Sequence, residues 1–237
     1  MLGALALLLT AHAARAVTFV DQIERLQAVY AALLDYRSGA PPGSSPAGTL
    51  ALGLEVVPIP PLDTRVGSKS EPVHPPAAVA RLRADWTLGA GISAGGVWLP
   101  PLLLQGYQAD LRGAQLGYGL TLGEFRASAR AYYLDGTVSG PISDRVANDT
   151  FRVTNQGGDA RFGWGGRTWA LYVGAGAGRS HSRLEVGSDG SVSDLARPYA
   201  YGFGGIGRTL GAWQFTLEQH QTEAYLSHLV LTALYAF

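Results

Sequence analysis

Ten charged residues fall at alternating positions in neighbouring stretches of this sequence: Arg81, Arg83, Asp85, Asp110, Arg112, Glu124, Arg126, Arg130, Asp159 and Arg161. In an extended chain every second side chain shares a face, so these residues read as one charged wall. Two chemistries suit such a wall. Interlocked ion pairs would seal and brace an interior. Alternatively, the surplus of Arg over acids would line a narrow polar passage that favours anions. The near balance of charge favours the structural role. A second group is Glu218, His220 and His228, with Ser180, His181 and Ser182 as a further cluster. Placed at a rim, these would supply acid, base and nucleophile, yet a working triad needs nucleophile and base within hydrogen-bond reach. Gly91-Ile92-Ser93-Ala94-Gly95 fits a nucleophile-elbow pattern, but no helix follows it, as that motif requires. Gly202, Gly204 and Gly207 imitate a dinucleotide fingerprint without a βαβ unit. No catalytic residue, metal ligand or cofactor is assigned, and the protein reads as a non-enzyme.

Composition excludes several classes. The chain has no Cys, which removes disulfides and thiolate sites. Acids and bases are equal in number, and no basic stripe suggests nucleic acid. Residues 1–16 read as a signal peptide, with an apolar run at Leu2–Leu9 and small residues Ala14 and Ala16 flanking Arg15. That run is far too short for a bilayer, which needs about 20 residues of helix.

The elements that must carry the charges are strands. From Thr49 onward the apolar period is two. Leu50, Leu52, Leu54 and Val56 alternate with Ala51, Gly53 and Glu55; Leu82, Ala84 and Trp86 alternate with Arg83 and Asp85. Similar patterns fill 124–134, 168–178 and 228–237. The apolar face is rich in Ala, Leu and aromatics, and the other carries Gly beside charges. A soluble sandwich would bury the apolar face in a packed core. Here the reverse orientation fits better, with charges in a narrow lumen and the apolar face in lipid, where an Arg would cost roughly 2–4 kcal/mol. Aromatics form two bands, Trp86, Phe125, Trp164, Trp169 and Trp213 beside short turns, and Trp98, Tyr107, Tyr133, Tyr199 and Tyr201 at the opposite ends. Short turns near 89–91, 121–124, 165–167 and 209–212 alternate with longer connections near 58–77, 99–106, 135–149, 184–195 and 222–226. The expected fold is all-β, a transmembrane antiparallel up-and-down barrel of ten strands over 49–237. In 107–120 the apolar parity flips between Leu111 and Ala114, which predicts a β-bulge at Arg112-Gly113.

The chain ends on Phe237, with Tyr235 and apolar residues at every second position before it. This resembles the terminal assembly signal of bacterial outer-membrane barrels. Over 49–237 the sequence is similar to small outer-membrane β-barrel proteins of the OmpA/OmpX/OmpW-like kind. The resemblance implies residence in the outer membrane, contact with its lipid and with the assembly machinery, and both termini in the periplasm.

Residues 17–38 form an amphipathic helix with Phe19, Ile23, Leu26, Tyr30, Leu33 and Leu34 on one side, and 39–48 is a Pro- and Gly-rich linker. Its apolar stripe mismatches a charged lumen. The expectation is therefore a periplasmic helix outside the barrel, lying on the membrane interface or on a protein partner. The function expected is a structural or interaction barrel or a narrow pore. The alternative is a transporter for a small apolar solute with the helix as hatch, and a barrel-embedded lipid hydrolase or protease stands behind both.

Overall fold

The computed structural model describes residues 19–35, 45–59, 76–143, 148–166, 168–187, 190–222 and 226–237. The signal-peptide assignment, residues 39–44 of the linker and most of the 58–77 connection lie outside the described residues. One helix, α1 (Phe19–Leu34), precedes ten strands: β1 (Leu50–Pro58), β2 (Ala78–Gly89), β3 (Ile92–Leu104), β4 (Tyr107–Leu122), β5 (Phe125–Gly140), β6 (Asp149–Trp164), β7 (Trp169–Glu185), β8 (Val192–Leu210), β9 (Trp213–Thr222) and β10 (Leu226–Ala236). Each pairs antiparallel with its sequence neighbours, and β1 pairs with β10 to close the barrel. Closure gives every strand a neighbour on both sides, which a lipid environment demands.

Alternation decides the faces. Leu52, Leu54, Leu82, Leu116, Val173 and Leu231 all point outward and are exposed, whereas Glu55, Arg81, Arg83, Asp159, Arg161 and Glu218 point inward and are buried. Exposing so many large apolar side chains to water would be costly at about 25 cal/mol per Å²; in lipid they are at home. No helix among the described residues is long and apolar enough to cross a membrane, and the crossing is made by strands.

The helix is inside the barrel, which corrects the expectation that it lies outside. Gln27 donates to the Ser193 carbonyl, Asn155 donates to the Ala31 carbonyl, and Arg81 donates to the carbonyls of Leu34 and Asp35. These partners come from β8, β6 and β2, so α1 is held from several sides at once. Gln27 and Tyr30 lie near the ends of the strands that bear the longer connections, since Tyr30 packs on Phe151 with ring centroids 5.7 Å apart. Asp35 lies deeper, where Tyr132 and Tyr199 donate to its carboxylate.

That position explains the other corrections. No bulge occurs in 107–120, because β4 pairs with β5 without interruption from Gln108 to Leu122. Tyr107, Ala109 and Leu111 simply face inward, since the part of the lumen toward the longer connections holds an apolar helix. There Leu26, Val29 and Leu33 of α1 pack against Leu99, Leu111, Leu134, Phe151 and Leu184 of the wall. The irregularity lies one strand away, in β3 between Leu99 and Leu102, at Pro100-Pro101. Asp110 and Arg112 consequently face outward and pair with each other in solvent at 3.2 Å, with the Arg112 side chain 76% exposed. Tyr107, Tyr199 and Tyr201, expected in an aromatic band, face the lumen; Trp98 and Tyr133 face out. The strands also run further than expected. The 99–106 connection is strand plus a two-residue turn in which Gln105 and Gly106 both have positive φ, the backbone that a tight hairpin needs. Much of 135–149 and 184–195 is strand as well. Polar outward residues there, such as Asp135 and Arg183, read as loop by composition.

Candidate functional site

Below the helix the lumen is crossed by a charged floor. Arg81 bonds Glu55, and Glu55 accepts from Arg83 at 2.7 Å. Arg83 reaches Asp85 at 2.8 Å, Gln115 donates to Asp85 at 2.9 Å, and Arg130 donates to Gln115 at 2.7 Å. Arg130 and Arg161 grip the two oxygens of Asp159 at 2.8 and 3.0 Å, and Arg161 continues to Glu218 at 3.2 Å. Four guanidiniums thus face four carboxylates (Arg81, Arg83, Arg130, Arg161; Glu55, Asp85, Asp159, Glu218). Buried ions need this complete pairing, because their desolvation costs several kcal/mol each.

Glycines and tyrosines shape the floor. Gly174, Gly176 and Gly178 of β7 stand opposite Phe203, Tyr201 and Tyr199 of β8. A Cβ at Gly176 would lie 2.5 Å from the Tyr201 ring, and one at Gly174 2.2 Å from that of Phe203. The missing side chains let the rings lie flat across the wall. The same arrangement sets Tyr172 over Gly205 and Tyr132 over Gly157. The hydroxyls are thereby aimed at acids: Tyr201 donates to Asp159 at 2.9 Å and Tyr172 to Glu218 at 2.7 Å. Arg161 also stacks over Phe203, 4.8 Å from its centroid.

Of the ten residues singled out by spacing, six meet in this network: Arg81, Arg83, Asp85, Arg130, Asp159 and Arg161. Asp110 and Arg112 are outside the barrel. Glu124 sits in the exposed β4–β5 turn and accepts from the Trp164 indole. Arg126 faces inward at the short-turn mouth and donates to the Gly166 carbonyl at 2.9 Å. Glu55 and Gln115 were not singled out, although Glu55 occupies an inward position of an alternating strand; Glu218 was grouped with His220 at a rim, and Tyr199 and Tyr201 were assigned to an aromatic band. His220 is not at a rim. It is fully buried, 2.8 Å from Glu218, and stacks on His228 at 5.5 Å. Ser180 and Ser182 also face the lumen, whereas His181 faces out. Ser93 lies in the regular part of β3, with no elbow. Among the described residues no three His, Cys, Asp or Glu side chains form a metal-ligand set.

Between the floor and the short turns lies a polar cavity of about 390 Å³, lined by Ser93, Gln115, Ser128, Arg130 and Gln214 among others. The lumen therefore has three zones, an apolar part toward the longer connections that α1 fills, the ion-paired floor, and a polar vestibule.

No family model matches this sequence, and no curated protein matches it either. Solved structures share its outline at low identity. The attachment invasion locus protein Ail of Yersinia pestis is 10% identical over 81% of this chain and 100% of its own, with a TM-score of 0.33. The outer membrane protease OmpT from Escherichia coli is 11% identical over 80% and 94%, with a TM-score of 0.42. The translocator domain of the autotransporter NalP from Neisseria meningitidis is 9% identical over 91% and 94%, with a TM-score of 0.41. The apolar exterior and closed ladder of the chain itself are those of a transmembrane antiparallel β-barrel.

Proposed function

We propose that this barrel is held shut by its own N-terminal helix and serves as a sealed structural or interaction barrel, not as an open pore. The observation that carries this reading is the seat of α1. Its residues from Leu26 to Leu34 are buried inside the lumen, and Arg81 ties its last carbonyls to the wall. The balanced floor adds to it, since a conducting anion path needs guanidiniums that face water. In this reading the longer connections are external, the short turns and Phe237 are periplasmic, and the assembly machinery reads the terminal strand. The helix then plugs the outer half and needs no periplasmic partner. A second reading, a transporter of a small apolar solute with α1 as hatch, is favoured by the apolar character of the outer lumen.

Planar-bilayer conductance of the refolded mature chain, starting at Val17, tests the proposal. The intact protein should pass no steady current, and removal of residues 17–48 should open one. Steady current from the intact barrel overturns the seal. Silence after the truncation assigns the seal to the ion-paired floor and overturns the role of the helix.

A further inference from the structure

The first helix and the last strand point to opposite mouths of the barrel. Ala236 donates its N–H to the Ala212 carbonyl of the β8–β9 turn at 2.8 Å, and Phe237 donates to Leu50 at 2.9 Å. The C-terminus therefore stands at the mouth that carries the short turns. The contacts of α1 begin at the other mouth. Gln27 donates to the carbonyl of Ser193, which follows the first residue of β8 after a longer connection. Asn155, deeper on β6, holds Ala31, and Tyr132 and Tyr199 hold Asp35 in mid-lumen. The helix thus descends from the longer connections, with its N-terminal end nearest to them.

Phe19 begins α1, about 12 Å beyond Gln27 at 1.5 Å per residue, so the first turns reach the rim. Burial changes at the same place. Glu24 and Arg25 are exposed, whereas every residue from Leu26 to Asp35 is buried. A helix buried at every consecutive position is covered on all its sides. Wall side chains such as Leu111, Leu134, Phe151 and Leu184 pack around it. A ten-stranded lumen is only slightly wider than one that side chains alone would fill. A chain leaving the start of α1 has no room to turn back beside the helix, and its way is outward.

We infer that α1 holds the N-terminal end of the protein on the side of the longer connections, opposite Phe237, so that the barrel displays at that surface whatever precedes Phe19. The two termini then lie on opposite sides of the membrane, not together in the periplasm. The helix is the stem of a display anchor, and exposed Glu24 and Arg25 mark where the apolar stem meets water. The inference rests on the seat of α1 and not on the seal, since a conducting barrel would present its N-terminal end in the same way.

The chain has no Cys, so single cysteines report the side directly. Intact cells and lysed cells are treated with a polymer-linked maleimide too large to cross the membrane. Asp194→Cys, exposed near the start of β8, marks the side of the longer connections, and Glu124→Cys in the β4–β5 turn marks the other. Glu24→Cys should label in the same samples as Asp194→Cys, whichever side proves external. Heat-modifiable migration on gels verifies folding, and Arg25→Cys replaces Glu24→Cys if that variant does not fold. A short epitope inserted directly before Phe19 should bind antibody in those samples too. Labelling of Glu24→Cys in step with Glu124→Cys overturns the placement, and a folded barrel whose epitope stays hidden overturns the display.

Discussion

Arg81 and Leu34 meet inside the barrel, Nη1 of the guanidinium donating to the helix carbonyl at 2.7 Å. The last carbonyls of a helix lack partners within it and carry its negative dipole end, where a cation is favoured. Arg81 supplies hydrogen bond and charge together, and its other nitrogen joins Asp35 and Glu55. The helix and the ion-paired floor are therefore one mechanical unit.

Arg81→Ala should destabilise the barrel by about 3–5 kcal/mol, the usual cost of breaking a buried pair from one side. Urea unfolding in detergent micelles reads this directly. Arg81→Lys should recover only part of the loss, because a single ammonium lacks the guanidinium fork. An unchanged unfolding midpoint in Arg81→Ala would show that the contact contributes nothing.

Cross-linking fixes the seat of the helix. Cysteines at Tyr30 and Phe151, whose rings now touch, should be bridged efficiently by a short bifunctional thiol reagent. Cysteines at Leu26 and Arg126 should not, since Leu26 packs in the outer zone and Arg126 lies at the opposite mouth. The reverse pattern on a gel would place the helix elsewhere.

Gly176→Ala should force the Tyr201 ring off Asp159, because the added carbon would meet that ring at 2.5 Å. Overpacking of this kind costs roughly 1–3 kcal/mol. Ala at Gly123, which has nothing within 4 Å but a positive φ, tests backbone strain alone. Equal losses at the two glycines would refute the ring-clearance argument.

Deletion of Phe237 should lower the yield of heat-modifiable barrel in outer-membrane fractions. The residue closes the register by donating its N–H to the Leu50 carbonyl at 2.9 Å, and its exposed ring packs edge-on against Tyr235. Wild-type yield and migration from the truncated chain would remove the assembly role.

The period-two pattern made ten strands and the short turns legible, because lipid and lumen impose opposite chemistry on alternate residues. The pattern failed where that rule inverts. Beyond Trp98 and Tyr133 the exterior becomes polar and the interior becomes apolar around α1. An inserted residue and a change of lumen filling both flip the parity between Leu111 and Ala114. Local sequence cannot separate the two without knowing what fills the lumen. Glu55 and Glu218 lay on readable strands, but their partnership with Arg81 and Arg161 depends on curvature that brings distant strands together. The helix was misplaced by treating the lumen as uniformly charged.

The route of the chain has a kinetic corollary. Asp35 is held mid-lumen by Tyr132, while Ser45 bonds Gln214 beside the β8–β9 turn, so the end of α1 and the approach to β1 are fixed at different depths of the barrel. A closed hoop offers no side entrance for a helix tethered in this way. The seam between β1 and β10 must zip around a helix already lodged, or else the N-terminal end must be drawn through the finished bore. The first order makes α1 a mandrel on which the cylinder is rolled, and a chain lacking it would close over a void lined by Leu111, Leu134 and Phe151.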